Sequence, residues 1–174
     1  MTDFIRINNF IPSSTVNGPG KRFVIWTQGC NLNCEGCFNR ETHKLDGGFL
    51  IKISKLADLI NNTKDIRGIT FSGGEPLLQV NEIIKLIELV NKSLDIFIFS
   101  GYTIKEVISD ANKKNILKKI DAGLFGRYNK LLPHSFYGKK LVLCSDKIKK
   151  EEVKPWINTE IIFEKENVFV TGLY

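Results

Sequence analysis

Three of the four cysteines in this 174-residue chain lie close together. Cys30, Cys34 and Cys37 have Cys-x3-Cys-x2-Cys spacing, and the stretch that contains them follows an apolar run at residues 23–26. Clustered thiolates bind zinc or iron–sulfur clusters in proteins. Three protein ligands leave a tetrahedral metal or a four-iron cluster incomplete, so that another molecule can bind there. The spacing therefore indicates a metal centre that could carry out chemistry.

Two kinds of metal centre fit this spacing. A structural zinc site would use Cys30, Cys34 and Cys37 with His43 as the fourth ligand. Zinc ligands usually come as two separate Cys-x2-Cys pairs, and this chain has no second pair. The alternative is a [4Fe-4S] cluster with three cysteine ligands and one open iron. The spacing alone leaves both interpretations open.

A second motif, Gly73-Gly74-Glu75-Pro76, follows a short apolar run at residues 68–71. Two glycines let the backbone approach a ligand closely and adopt positive φ angles. The carboxylate of Glu75 could accept hydrogen bonds from an ammonium group, and Pro76 suits the first turn of a helix. An ordinary turn between a strand and a helix would have the same composition, so this motif needs the cysteines to support a ligand site.

Strand and helix patterns alternate along the chain and would position both motifs. Strands are predicted over residues 23–28, 68–71, 95–100, 119–125 and 140–144, and helices over 53–62, 78–92 and 104–117. Such alternation predicts an α/β fold with a mainly parallel sheet, and it brings successive strand ends to one face. The strands are too few for a closed barrel, so we expect a partial (βα) barrel or a curved sheet. Residues 160–170 predict a C-terminal β-hairpin, and residues 1–174 predict one domain.

Composition and charge exclude several classes of protein. The 43% hydrophobic and 25% charged residues are ordinary for a globular protein, and no apolar run approaches the ~20 residues of a membrane span. The net charge is +6, but the lysines alternate with acidic residues, so we do not expect nucleic-acid binding. The N-terminus lacks the pattern of a signal peptide, and we therefore expect a cytoplasmic protein. Thiols stay reduced there, which favours metal ligands over disulfides.

The two motifs together resemble those of the radical S-adenosylmethionine (SAM) enzymes. In that superfamily the open iron binds the amino and carboxylate groups of SAM, and a Gly-Gly-Glu motif contacts its methionine end. The resemblance implies that Cys30, Cys34 and Cys37 ligate one [4Fe-4S] cluster. It also implies cofactor contacts from two segments, the backbone of Gly36, Cys37 and Phe38 beside the adenine and the motif Gly73, Gly74 and Glu75 at the methionine.

Within this superfamily the chain is most similar to the small activases of glycyl radical enzymes, above all those of anaerobic ribonucleotide reductase. The similarity is carried by residues 18–22, 26–30, 36–43, 72–77 and 99–103. It implies that an external one-electron reductant of the flavodoxin or ferredoxin type drives cleavage of SAM to methionine and a 5′-deoxyadenosyl radical. That radical would take a hydrogen atom from a glycine of the partner protein.

Two departures from the activase pattern leave other functions open. Ala122-Gly123 stands where these activases usually carry Asp-Gly, and residues 132–138 replace an Arg-Gly-Ser-Ser-Asn-Gln-like segment. One alternative is a radical SAM enzyme that acts on another protein or peptide, and a more remote one is a non-catalytic zinc-binding module. The isolated Cys144 predicts a packed thiol and provides no second cluster.

Single residues near the motifs carry competing interpretations. Arg22 could bind a carboxylate or a partner chain, or could be an ordinary surface arginine in a turn. Tyr102 could shape the adenosine pocket or could simply pack. We expect His43 to be a polar turn or cap residue.

Overall fold

The computed structural model describes residues 3–132, 136–155, 159–164 and 167–172. The strands in this part of the chain are β1 Phe4–Ser14, β2 Arg22–Thr27, β3 Phe49–Lys52, β4 Gly68–Gly73, β5 Asp95–Ser100, β6 Ala122–Phe125, β7 Lys140–Leu143, β8 Thr159–Glu164 and β9 Asn167–Gly172. The α-helices are α1 Ile53–Asn61, α2 Val80–Leu89 and α3 Ile104–Ser109. Short 3-10 helices span Arg40–Thr42, Pro76–Gln79, Lys113–Lys118 and Lys150–Glu152.

Strands β1 to β7 form one sheet in the order β3-β1-β2-β4-β5-β6-β7. The central strands β2, β4, β5 and β6 are parallel, as the alternating pattern predicted. The strands outside them, β1, β3 and β7, pair in the antiparallel direction. The α/β fold is therefore confirmed, and its sheet is mixed because the sequence pattern did not reveal how the outer strands pair.

Alternation along the central strands separates two faces of the sheet. One face packs with α1, α2 and α3 into the main core, and it consists of Phe23, Ile25, Ile69, Phe71, Ile96 and Ile98. The residues between them, such as Val24, Thr70 and Phe97, point to the opposite face. That opposite face carries a smaller core around Phe97 and Leu124, and it also lines the cavity described below.

The C-terminal hairpin is present as predicted. Strands β8 and β9 pair in the antiparallel direction, with Thr159 opposite Gly172 and Glu164 opposite Asn167. Two side-chain hydrogen bonds tie it to the segment after β1. Thr15 Oγ1 donates to Glu160 Oε1 at 3.3 Å, and Asn17 Nδ2 donates to Thr171 Oγ1 at 2.9 Å. None of the helices in the described residues is long and apolar enough to cross a membrane.

Arg22 is buried, so the surface arginine, one of its two interpretations, is wrong, and the carboxylate that it binds is that of Asp95. Its side chain is 0% exposed and forms an ion pair with Asp95 at 2.5 Å. Its guanidinium also donates to Thr70 Oγ1 and to the carbonyl oxygen of Pro19, both at 2.8 Å. Arg67 binds the other carboxylate oxygen of Asp95 at 2.8 Å. This network joins the amino-terminal ends of β2, β4 and β5.

Candidate active site

The cysteine loop begins where β2 ends and is held by backbone hydrogen bonds. Cys30 N donates to His43 O at 3.1 Å, and Cys37 N donates to Cys34 O at 3.2 Å. All three cysteines are half-buried, have free thiols and line one cavity of about 400 Å³. The structure therefore brings the three predicted ligands to a common space.

Two of the three thiols, Cys30 and Cys37, favour their protonated form when no metal is bound. Burial raises the pKa of Cys30 and Cys37 above the ordinary value for a thiol. Metal ligands must be thiolates, so metal binding has to displace these protons. The positive charge of bound iron would offset the cost of holding thiolates in this partly buried loop.

The three thiols share a cavity, but they do not form a group suited to a single metal ion in the described residues. In the described parts of the chain, no three His, Cys, Asp or Glu side chains are grouped as they would be around one ion. A Cys3His zinc set with His43 is therefore not formed, although His43 lines the same cavity. In a [4Fe-4S] cluster each thiolate binds a different iron, so the thiols must surround a larger object. Three free thiols around one cavity fit that requirement.

The glycine motif packs directly against the cysteine loop. Gly73 ends β4 with a φ of +99°, and both Gly73 and Gly74 line the cavity. A Cβ atom at Gly74 would lie 2.4 Å from Gly29 O, so only glycine fits there. Glu75 N donates to the same Gly29 oxygen at 2.8 Å. The two motifs recognised in the sequence thus form one hydrogen-bonded unit.

Glu75, the third residue of the motif, lies behind the two glycines and is not one of the residues that line the cavity. The residue is 0% exposed, and its carboxylate accepts hydrogen bonds from Leu77 N (2.9 Å), Ser100 Oγ (2.8 Å) and Gly101 N (2.7 Å). Burial raises its pKa above the usual carboxyl range. These hydrogen bonds link the ends of β4 and β5 through the Glu75 carboxylate.

The segment after Cys34 contributes one aromatic wall. Phe38 lines the cavity, and its ring packs edge-on against Tyr128 with the centroids 5.4 Å apart. Gly36 has a φ of +69° but does not line the cavity, because it packs against the side chain of Lys130. Of the predicted adenine contacts, Cys37 and Phe38 therefore reach the cavity and Gly36 does not.

Tyr102 holds the cysteine loop from outside and does not line the cavity. Its hydroxyl donates to Asn31 Oδ1 at 3.1 Å, next to Cys30 in the chain. Lys113 Nζ lies 5.0 Å from the centre of its ring, and the Arg127 guanidinium lies 5.6 Å from it. Tyr102 also packs against the main core, which is one of the two roles expected for it. Its hydrogen bond to Asn31 is a further contact that the sequence did not reveal.

Lys139 is a cavity residue that the sequence did not indicate. It lines the cavity, and its Nζ donates to Ser100 O at 3.1 Å and to Gly126 O. Nothing in the sequence distinguishes it from its neighbour Lys140, which is exposed. Its importance follows only from the pairing of β6 and β7, which turns the start of β7 toward the end of β5.

The departures from the activase pattern lie partly outside the site. Ala122 and Gly123 begin β6 and are buried, whereas the strand ends at Phe125. In the segment at 132–138, residues 133–135 lie outside the described residues. Cys144 packs against the main core, as predicted, and does not line the cavity of the other three thiols.

Comparisons with known proteins agree with the site. A protein family described as a 4Fe-4S single cluster domain matches residues 16–140. The anaerobic ribonucleoside-triphosphate reductase-activating protein of Enterobacteria phage T4 is 32% identical over 162 residues, 89% of this chain and 96% of its own length. Its namesake in Haemophilus influenzae is 30% identical over 128 residues, covering 68% of this chain and 81% of the relative. A crystal structure of QueE from Escherichia coli matches with a TM-score of 0.48 and 17% identity, over 57% of this chain and 53% of that one.

The matching protein family and the two sequence relatives show the class and the family of this chain. The class is that of proteins with a single [4Fe-4S] cluster domain, and the match covers most of the chain. The chain belongs to the family of anaerobic ribonucleoside-triphosphate reductase-activating proteins. The resemblance inferred from the sequence is therefore confirmed, and with it the cofactors, one [4Fe-4S] cluster and SAM.

Proposed function

We propose that Cys30, Cys34 and Cys37 ligate the cluster and that SAM binds in the adjoining cavity as in radical SAM enzymes. The observation that carries this assignment is the direct hydrogen bonding of the cysteine loop to the Gly73-Gly74-Glu75 turn, with the thiols and both glycines on one cavity wall. When bound, the reduced cluster supplies the electron that cleaves SAM into methionine and a 5′-deoxyadenosyl radical.

The residues of the chain have distinct tasks in this scheme. Gly73 and Gly74 leave room for the methionine end of SAM beside the cysteine loop. Phe38 offers an aromatic wall for the adenine, together with the backbone at Cys37. Gly36 and Glu75 support these residues from behind the cavity wall. The mixed sheet acts as the partial barrel of a radical SAM domain that spans residues 1–174.

We infer that the substrate is a glycine on a partner protein, the anaerobic ribonucleotide reductase after which the relatives are named. A cavity of about 400 Å³ lies at the small end of the range for ligand sites, so a cofactor of the size of SAM leaves little space for a second metabolite. A protein loop could enter from the open side and itself exclude water. The departures at Ala122-Gly123 and at 132–138 keep another protein or peptide as the second candidate.

The remaining assignments follow from the chemistry. The electron would come from an external donor of the flavodoxin or ferredoxin type, since the described residues include no second group of cysteines that could hold another cluster. A reducing compartment, the cytoplasm, would keep the thiols available. Neither a membrane nor a nucleic acid is part of this scheme.

The test compares two cysteine variants after anaerobic reconstitution. We expect the wild-type protein to bind about four irons and, with dithionite and SAM, to release 5′-deoxyadenosine. Cys34→Ala should abolish the release because the cluster loses one of three ligands. Cys144→Ala is the matched control and should retain it, since that thiol lies away from the cavity.

Partner identity is tested by adding anaerobic ribonucleotide reductase from the same cell. We expect an electron paramagnetic resonance signal of a glycyl radical that depends on SAM. SAM cleavage without this signal would favour the second candidate, another protein or peptide. Bound zinc without iron would overturn the radical SAM assignment itself.

A further inference from the structure

Lys139 places a positive charge on the wall of the cofactor cavity. Among the cavity-lining residues that the structure describes, it is the one lysine or arginine. Its position is fixed, because Nζ donates to Ser100 O at the end of β5 and to Gly126 O just past β6. An ammonium group has three N–H donors, so two of them anchor the side chain to the sheet.

In the described part of the chain, this ammonium group forms no hydrogen bond or ion pair with a carboxylate. Both of its hydrogen-bond acceptors are carbonyl oxygens. Other cations near the cysteine loop do form ion pairs, Arg127 with Glu106 at 2.6 Å and Lys130 with Glu35. Burial lowers the pKa of Lys139, which marks the cost of holding an ammonium group in this place. A partly buried cation of this kind calls for an anion in the cavity.

The acidic groups that act on Lys139 are Glu75, Cys34 and Cys37, all of which raise its pKa. Glu75 already accepts three hydrogen bonds from elsewhere in the protein. The two thiols are different, because in the proposed function they become thiolates on an anionic cluster. The cluster and its thiolates would therefore supply the negative charge that balances the ammonium group of Lys139.

We propose that Lys139 is a positioning residue that raises the reduction potential of the bound cluster. This inference rests on the proposed function. The step concerned is the transfer of one electron from the external donor to the cluster, which gains one negative charge. A nearby fixed cation stabilises the more negative, reduced state, and cluster potentials depend on such local charges. No bond to Lys139 forms or breaks, and its proton stays in place.

The test measures the midpoint potential of the reconstituted cluster by redox titration without SAM. In Lys139→Met the charge is lost, and we expect the equilibrium constant for reduction to fall by about tenfold. For a one-electron couple this corresponds to a midpoint lower by about 59 mV. Lys139→Arg keeps the charge and should stay near the wild-type value. Lys140→Met, on the exposed neighbouring side chain, is the matched control and should not change the potential.

A purely structural role for Lys139 would give another result. In that case Lys139→Met would lower the melting temperature and leave the midpoint unchanged, which would overturn the proposal. If Lys139→Met does not hold a cluster, Lys139→Gln takes its place, because its amide can still donate to a carbonyl oxygen without a charge. A wild-type protein that binds no cluster would instead contradict the proposed function, so the two failures are distinguishable.

Discussion

The Glu75 carboxylate joins three backbone and side-chain donors beneath the cavity. One oxygen accepts from Leu77 N and Ser100 Oγ, and the other accepts from Gly101 N. A carboxylate can accept all three hydrogen bonds, whereas a neutral amide of the same shape cannot. In a glutamine either the Leu77 and Ser100 contacts or the Gly101 contact would face an N–H group.

This geometry predicts that Glu75→Gln destabilises the protein although the side chain keeps its shape. We expect the free energy of unfolding to fall by about 1–3 kcal/mol, the usual cost of leaving a buried polar group unsatisfied. Denaturant unfolding of the cluster-free protein measures it. Glu88→Gln, on the surface of α2, is the control and should have little effect. Equal stability of Glu75→Gln and wild type would show that these hydrogen bonds do not matter.

At the scale of residues, the sequence predicted the reactive groups better than their supports. Three cysteines and two glycines carry their chemistry in their type and spacing, and the structure places all five on one cavity. The orientation of the Glu75 side chain depends on its hydrogen bonds with Ser100 and Gly101, which are 25 and 26 positions further along the chain. Such long-range contacts leave no local pattern, and for the same reason Lys139 could not be identified.

Among the elements, the turn between β5 and α3 connects the helix layer to the cysteine loop. Thr103 and Glu106 form a capping box at the start of α3. Glu106 also binds Arg127, and the guanidinium of Arg127 lies over the ring of Tyr102. The hydroxyl of Tyr102 then reaches Asn31 in the cysteine loop. A capped helix terminus thus holds the loop in place through one tyrosine.

We predict that Tyr102→Phe weakens the hold on the cluster without changing the fold. The phenylalanine keeps the ring between Lys113 and Arg127 but loses the hydrogen bond to Asn31. One such bond contributes roughly 0.5–1.5 kcal/mol, so iron loss to a chelator should become roughly two- to tenfold faster. The decay of the visible absorption of the cluster measures this rate. Tyr137→Phe serves as the control. An unchanged rate of iron loss in Tyr102→Phe would show that the hydroxyl of Tyr102 does not stabilise the cysteine loop.

The bounds of helices and strands could be predicted where the sequence pattern is local. The prediction failed where hydrogen bonds from a side chain interrupt the backbone pattern. Helix α1 at Ile53–Asn61 agrees closely with the predicted 53–62. The predicted helix 104–117 is instead split into α3 and a 3-10 helix. Asp110 causes the break, because its carboxylate accepts from the backbone N–H of Asn112 and Lys113 and so replaces the helical pattern. Strand β3 was missed because four residues are too few for a periodic signal.

In the molecule as a whole, the two ends of the parallel strands serve different purposes. One end carries the candidate site, and the other carries a stabilising network of charged side chains. The carboxyl ends of β2 and β4 carry the cysteine loop and the glycine turn. The amino ends carry the buried network of Arg22, Asp95 and Arg67. Charged side chains thus tie the strands together at the end where no ligand has to enter.

We expect Arg22→Leu to destabilise the whole fold. It leaves the nearly buried Asp95 with a single cation, and the loss of one partner from a buried ion pair costs about 3–5 kcal/mol. Thermal or denaturant unfolding measures this loss. Lys21→Leu, at the exposed neighbouring position, is the control. A loss of less than about 1 kcal/mol, the range of exposed pairs, would contradict the assigned role of this network.

The hairpin at the cavity wall has a consequence for how the protein is made. Val170 and Thr171 on β9 line the same cavity as Cys30, Cys34 and Cys37. A ribosome releases the cysteine loop long before these two residues, and domains fold as their segments emerge. The three thiols therefore spend the later part of translation without their full enclosure. Iron and sulfide delivered to a finished chain meet a cavity with the hairpin wall in place, whereas a nascent chain offers the same thiols without that wall.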